Sequence, residues 1–170
     1  MSRLRLPRRL FAALLGGALL AALTACAAPV SLEPAADATN TSCADLMVRL
    51  PDVLGDDGRR NTDAQSTAAW GDPASVLLHC GVAVPGPTTD ACVTVDGIDW
   101  IQQEGKDEVY TFTTYGRDPA TEVVIDSAAA AASTVLTDLA TPVGAIPATD
   151  ACVGPEDLAP TPTPTPTPTP

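Results

Sequence analysis

Positive charge is scarce in this sequence. Nine Lys+Arg stand against 21 Asp+Glu, for a net charge of −12. A nucleic-acid binder needs a basic face that neutralises phosphates, so no nucleic-acid partner is expected. Histidine occurs once, at His79, and aromatics make up only 4% of the residues. Any Ser-His-Asp or Cys-His mechanism would have to run through that one imidazole, and no G-x-S-x-G elbow accompanies it. No C-x-x-C is present, which argues against a zinc or thiol redox site. The expectation is therefore no catalytic residue, no metal and no cofactor. The apolar run Leu10–Leu23 is shorter than the roughly 20 residues of an ordinary membrane-spanning helix.

That run is the right length for the core of a signal peptide, and Arg3, Arg5, Arg8 and Arg9 precede it without an acid. It ends in Leu23-Thr24-Ala25-Cys26, which resembles the lipobox of bacterial lipoproteins. The resemblance implies cleavage after residue 25 and a diacylglyceryl group on Cys26. A two-chain lipid, at about 0.8 kcal/mol per buried CH₂, anchors a protein stably. Arg8-Arg9-Leu10-Phe11 also resembles a twin-arginine export signal, although an ordinary positive leader explains it as well. Cleavage removes four arginines and no acid, taking the charge from −12 to −16. An acidic body is repelled by an anionic membrane surface, so attachment must come from the lipid.

Four cysteines remain: Cys43, Cys80, Cys92 and Cys152. An even number in an exported chain reads as two disulfides. Three pairings are open; sequential pairing, Cys43–Cys80 with Cys92–Cys152, is preferred because it encloses two separate units.

At 170 residues there is room for one domain, and 17 prolines argue against an all-helical bundle. The expected organisation is a signal peptide over 1–25, a disordered tether over 26–42, a domain over 43–153 and a Thr-Pro-rich disordered tail over 154–170. Strict Thr-Pro alternation over Pro160–Pro170 favours extended polyproline. Cys43–Leu50 reads as a short helix capped by Ser42 and stopped by Pro51. Residues 52–68, polar and Gly-bearing, read as a loop. Strands are expected at Ser75–Val82, Cys92–Asp96, Ile98–Ile101, Glu108–Tyr115 and Thr121–Ile125. Helical spacing then returns over Ser127–Ala140, capped by Asp126 or Ser127 and closed by Pro142. The fold class is α+β: a mainly antiparallel sheet of about five strands with two helices on one face.

Cys43-Ala44-Asp45-Leu46, Leu50-Pro51, Arg59-Arg60, Ala69-Trp70-Gly71-Asp72-Pro73, Cys80-Gly81 and Val95-Asp96-Gly97-Ile98-Asp99-Trp100 follow one another in order. This series resembles the actinobacterial membrane-associated proteins known as domain of unknown function 3515, over roughly Cys43 to Leu139. The resemblance implies a location and a domain extent, and no activity. In that family arginine usually precedes Cys-Gly; here the residue is His79.

The candidate binding residues are Arg59, Arg60, Trp70, Asp72, Asp96, Asp99 and Trp100. Arginine forks onto carboxylate or phosphate, so Arg59, Arg60 and Arg117 suggest an anion-reading patch walled by Trp70 and Trp100. The competing reading places the arginines in internal ion pairs and the tryptophans in the core. Asp56-Asp57 and Asp96/Asp99 are the closest acid pairs, suited to acid/base work or to holding Ca²⁺, though at no EF-hand spacing, or, beside glycine, to turns. The sequence thus suggests a non-catalytic module on the outer face of the cytoplasmic membrane, with an envelope protein or cell-wall component as partner. A wall-acting enzyme using the acids and a purely structural assembly factor are the alternatives.

Overall fold

The computed structural model describes residues 28–153. The expected signal peptide, the lipobox-like stretch ending at Cys26 and the Thr-Pro tail lie outside the described residues. Eight strands are present: β1 (Val53–Leu54), β2 (Asp57–Arg60), β3 (Thr67–Trp70), β4 (Val76–Val82), β5 (Ala91–Val95), β6 (Ile98–Glu104), β7 (Val109–Thr114) and β8 (Ala120–Asp126). The helices are α1 (Thr41–Met47) and α2 (Ala132–Val143). All strands form one antiparallel sheet in the order β1-β2-β3-β4-β8-β7-β6-β5. It is two four-stranded meanders joined where β4 pairs with β8.

Period-two alternation explains the central strands. In β4, Val76, Leu78 and Cys80 are fully buried while Leu77 and His79 are half-buried. The register carries that core face across Val123 and Ile125 of β8, Phe112 of β7 and Trp100 of β6. Leu46 of α1 and Val135, Leu136, Leu139 and Val143 of α2 join the same core cluster. Both helices therefore cover one face of the sheet. Each fully buried tryptophan withdraws about 200 Å² from water, roughly 5 kcal/mol. The opposite face carries Leu77, His79, Glu122, Val124 and, from β7, Thr111 and Thr113, all half-buried.

The connection from β4 to β5 must carry the chain from the middle of the sheet to its edge. That is four strand spacings, about 19 Å. Residues 83–90 reach that far when extended, and Pro85 and Pro87 keep them so. At the β5–β6 turn, Asp96 and Gly97 have φ of +48° and +77° between the paired Val95 and Ile98. This is the two-residue hairpin turn that an Asp-Gly pair favours.

Four expectations are corrected. The sheet has eight strands, not five, because residues 52–68 hold β1, β2 and the start of β3. These strands are short and none shows an apolar/polar alternation: β1 is two residues, β2 is polar, and β3 is buried throughout. Asn40, not Ser42, caps α1: its Oδ1 accepts from the Ser42 amide. Helix α2 begins at Ala132, because the Asp126 carboxylate accepts from the Ala128 amide and holds a turn there instead; Pro142 lies inside the last helical turn. Residues 28–42 lie against the body instead of hanging free. Val30 donates to the Asn61 carbonyl, Asp37 to that of Gly81, and Ala38 is buried. The domain therefore begins well before Cys43. Both disulfides have the sequential pairing, Cys43–Cys80 and Cys92–Cys152.

Candidate functional site

Trp70 ends β3 and Trp100 lies in β6; both are 0% exposed. The Trp70 indole donates to the Pro51 carbonyl at 3.1 Å. Neither ring offers a face to a partner, which corrects their assignment as walls of a binding patch. Their size is spent on filling the core between sheet and helices.

The two arginines of β2 do converge with Asp72. Arg59 pairs across the ladder with Trp70, and its guanidinium carbon lies 5.9 Å from the Trp70 ring centre. Such a stack holds the planar cation in place while leaving its N–H donors free. Among the described residues no carboxylate lies within 4.0 Å of Arg59. Arg60, on the other face of β2, is fully engaged. Its Nη1 donates to the Asp72 carboxylate at 2.8 Å and to the Gly71 carbonyl at 3.1 Å, and Nη2 donates to the Ala28 carbonyl. Asp52, Arg59, Arg60, Asn61, Thr62 and Thr67 line a concavity of about 450 Å³ at this corner. It is a polar cleft whose unpaired cation is Arg59.

Asp96 and Asp99 sit at the other side of the sheet. From β2 to β6 is five strand spacings, about 24 Å, so the structure does not unite them with the arginines. Asp96 is exposed in the hairpin turn. Asp99 accepts from the Thr94 hydroxyl at 2.6 Å and from the Cys152 amide at 2.9 Å. Its carboxylate ties the C-terminal segment to the sheet. Asp99 also lies beside Cys92 and Cys152, but sulfurs joined in a disulfide are poor metal ligands. Asp57 accepts from the Ser75 hydroxyl while Asp56 is exposed, so this acid pair is split too.

Arg117 is corrected from anion reader to anchor. It is 6% exposed, donates to the Ile146 carbonyl after α2, and burial holds its pKa below the usual arginine value. His79 faces Glu122 on the side of the sheet opposite the helices, with Nδ1 buried and 3.7 Å from the carboxylate. Its ladder partners are Thr67 and Glu122, and its neighbour Cys80 is committed to a disulfide. Sequence reasoning missed Asn61, Thr62 and the packed segment before Cys43. The one signal available was the acceptor-rich Asn61-Thr62-Asp63 run after two arginines.

A family model described as "Protein of unknown function (DUF3515)" matches residues 5–151, wider than the motif-bearing stretch from Cys43 to Leu139. No curated protein and no solved structure matches the chain.

Proposed function

The chain belongs to the DUF3515 family, and on that premise we propose a lipid-anchored module of the cell envelope that binds its partner and does not transform it. The anchor is Cys26, carried by its lipobox sequence, and the domain stands on the outer side of the cytoplasmic membrane. The partner presents an anionic group to the cleft at Arg59. One observation carries this reading: a half-buried arginine, stacked on Trp70, has its donors uncommitted beside Asn61, Thr62 and Thr67. A guanidinium so placed meets carboxylate or phosphate in a planar fork.

The test is photo-cross-linking in cells from a reactive side chain at Asn61, with a second at Lys106 as the control. Adducts specific to position 61 that vanish in Arg59→Ala support the reading. The same adducts in both backgrounds, or none specific to position 61, would remove the cleft as the binding site.

A further inference from the structure

We infer that residues 28–38 act as a rigid strap that seats the β1–β2 edge of the sheet on the anionic headgroup layer of the membrane, holding the domain in one orientation. The inference deepens the reading above and rests on Cys26 bearing the lipid. A flexible linker of about 16 residues would let the domain roam some 20–24 Å from its anchor. The chain from Ala28 onward has no such freedom. The Ala28 carbonyl accepts from Arg60; Val30 donates to the Asn61 carbonyl at 2.8 Å and accepts from the Asp63 amide at 3.3 Å. The Leu32 amide donates to the Asp63 carboxylate at 2.9 Å. Further along, Asp37 donates to the Gly81 carbonyl at 3.0 Å, and the Ser66 hydroxyl donates to that of Ala38 at 2.6 Å.

Only Ala27 separates Cys26 from the first bonded residue. Two residue steps span at most about 7 Å. Whatever surrounds Ala28 therefore sits at headgroup depth: Arg60 with Asp72 and Asn61, and, across β2 in the same cleft, Arg59. Five cations follow Cys26. Arg117 is buried and Lys106 lies at the β6–β7 turn, at least four strand spacings, about 19 Å, from β2. Arg49 leads into Asp52 at the lip of the cleft, and Arg59 and Arg60 line it. Acids outnumber cations even here: Asp72 is paired with Arg60, Asp63 accepts from the Leu32 amide and Asp57 from the Ser75 hydroxyl, while Glu33, Asp52 and Asp56 are exposed. The seat therefore rests on the short bonded tether and on Arg59, not on the net charge of this edge. Repulsion between the rest of the acidic body and an anionic leaflet acts in the same sense, tilting the far edge away. Arg59 is the group free to take a lipid phosphate.

The other end of the chain agrees with this orientation. It leaves the domain at Cys152, bound to Cys92 of β5. That strand is the opposite edge, six strand spacings or about 29 Å from β2. The sheet thus stands upright, with its N-terminal attachment at the membrane edge and its C-terminal departure at the edge turned outward.

The experiment uses the full lipidated protein in phosphatidylglycerol-containing vesicles that carry a headgroup quencher. A fluorescent side chain is placed at Asn61 in one sample and at Lys106 in another. The expected result is loss of most emission at position 61 and little at position 106. Val30→Pro, which removes the donor to Asn61, should erase the contrast, and Arg59→Ala should reduce it. Equal quenching at both positions with lipid present on Cys26 overturns the strap while leaving the anchor intact. A contrast untouched by Arg59→Ala overturns the headgroup role of that arginine. An unmodified Cys26 by mass spectrometry overturns the anchor and, with it, the orientation.

Discussion

The Asp37 backbone crosses directly over Gly81. A Cβ at Gly81 would overlap the Asp37 carbonyl and lie 2.6 Å from the Ala38 nitrogen. Gly81 has φ of +94°, which also disfavours any side chain. The Cys80-Gly81 pair thereby does two jobs at one place in β4: Cys80 bonds α1 through Cys43, and Gly81 admits the segment that leads into α1.

Gly81→Ala should therefore lift residues 35–38 off the sheet. The expected cost is about 2 kcal/mol or more, from backbone strain and steric overlap together. Chemical denaturation measures the loss, and amide exchange should quicken at Asp37 before it quickens in the strands. An unchanged midpoint would mean that the crossing segment contributes nothing to stability.

Acid should loosen the same segment at its other attachment. The Leu32 amide, with help from the Ser31 side chain, holds the Asp63 carboxyl below its ordinary 3.8. A depressed carboxylate contributes above its unfolded value and loses that contribution as pH falls through the lower folded one. The Leu32 amide-proton shift should therefore titrate with a midpoint below 3.8, and the step should vanish in Asp63→Asn. A midpoint at or above 3.8 would show that the carboxylate is not held.

The two tryptophans, alike in burial, should differ in cost. Trp70→Phe leaves the Pro51 carbonyl without its donor. In Trp100→Phe the lost indole N–H is one that is buried without a partner among the described residues. Both changes lose packing, but the first should be worse by about 1–2 kcal/mol. Equal unfolding free energies would contradict this assignment of the two indoles.

The disulfides should be reduced in sequence. Cys43 and Cys80 are 0% exposed, whereas Cys92 is exposed and Cys152 half-buried. Graded reductant followed by alkylation and mass analysis should label Cys92 and Cys152 first. Breaking either bridge should cost about 4 kcal/mol on the chain-entropy account. Loss of the second should also free the segment that Asp99 holds through the Cys152 amide.

The strands from β4 to β8 were legible because each alternates over a half-buried sheet and the Asp-Gly turn marks one hairpin. Strands β1 to β3 were not. Asp57-Gly58-Arg59-Arg60 has no apolar face, and it becomes a strand only because Trp70 and Ala69 pair with Arg59 and Arg60. The candidate site was half legible for the same reason. Arginine, aspartate and the Ala69–Pro73 turn stood out by type, while the segment over 28–38 that bonds to Arg60 and Asn61 has no hydrophobic period.

Residue order alone determined the alternating strands, the even set of cysteines and the acidic balance. Those properties are local or additive along the chain. Tertiary structure decided which residues meet: Arg59 over Trp70, Gly81 under Asp37, and Asp99 with Cys152 some 24 Å from the arginine cleft. Such contacts depend on the order of strands in the sheet. That order is set by the summed burial and pairing of the whole core, which no short stretch of residues encodes.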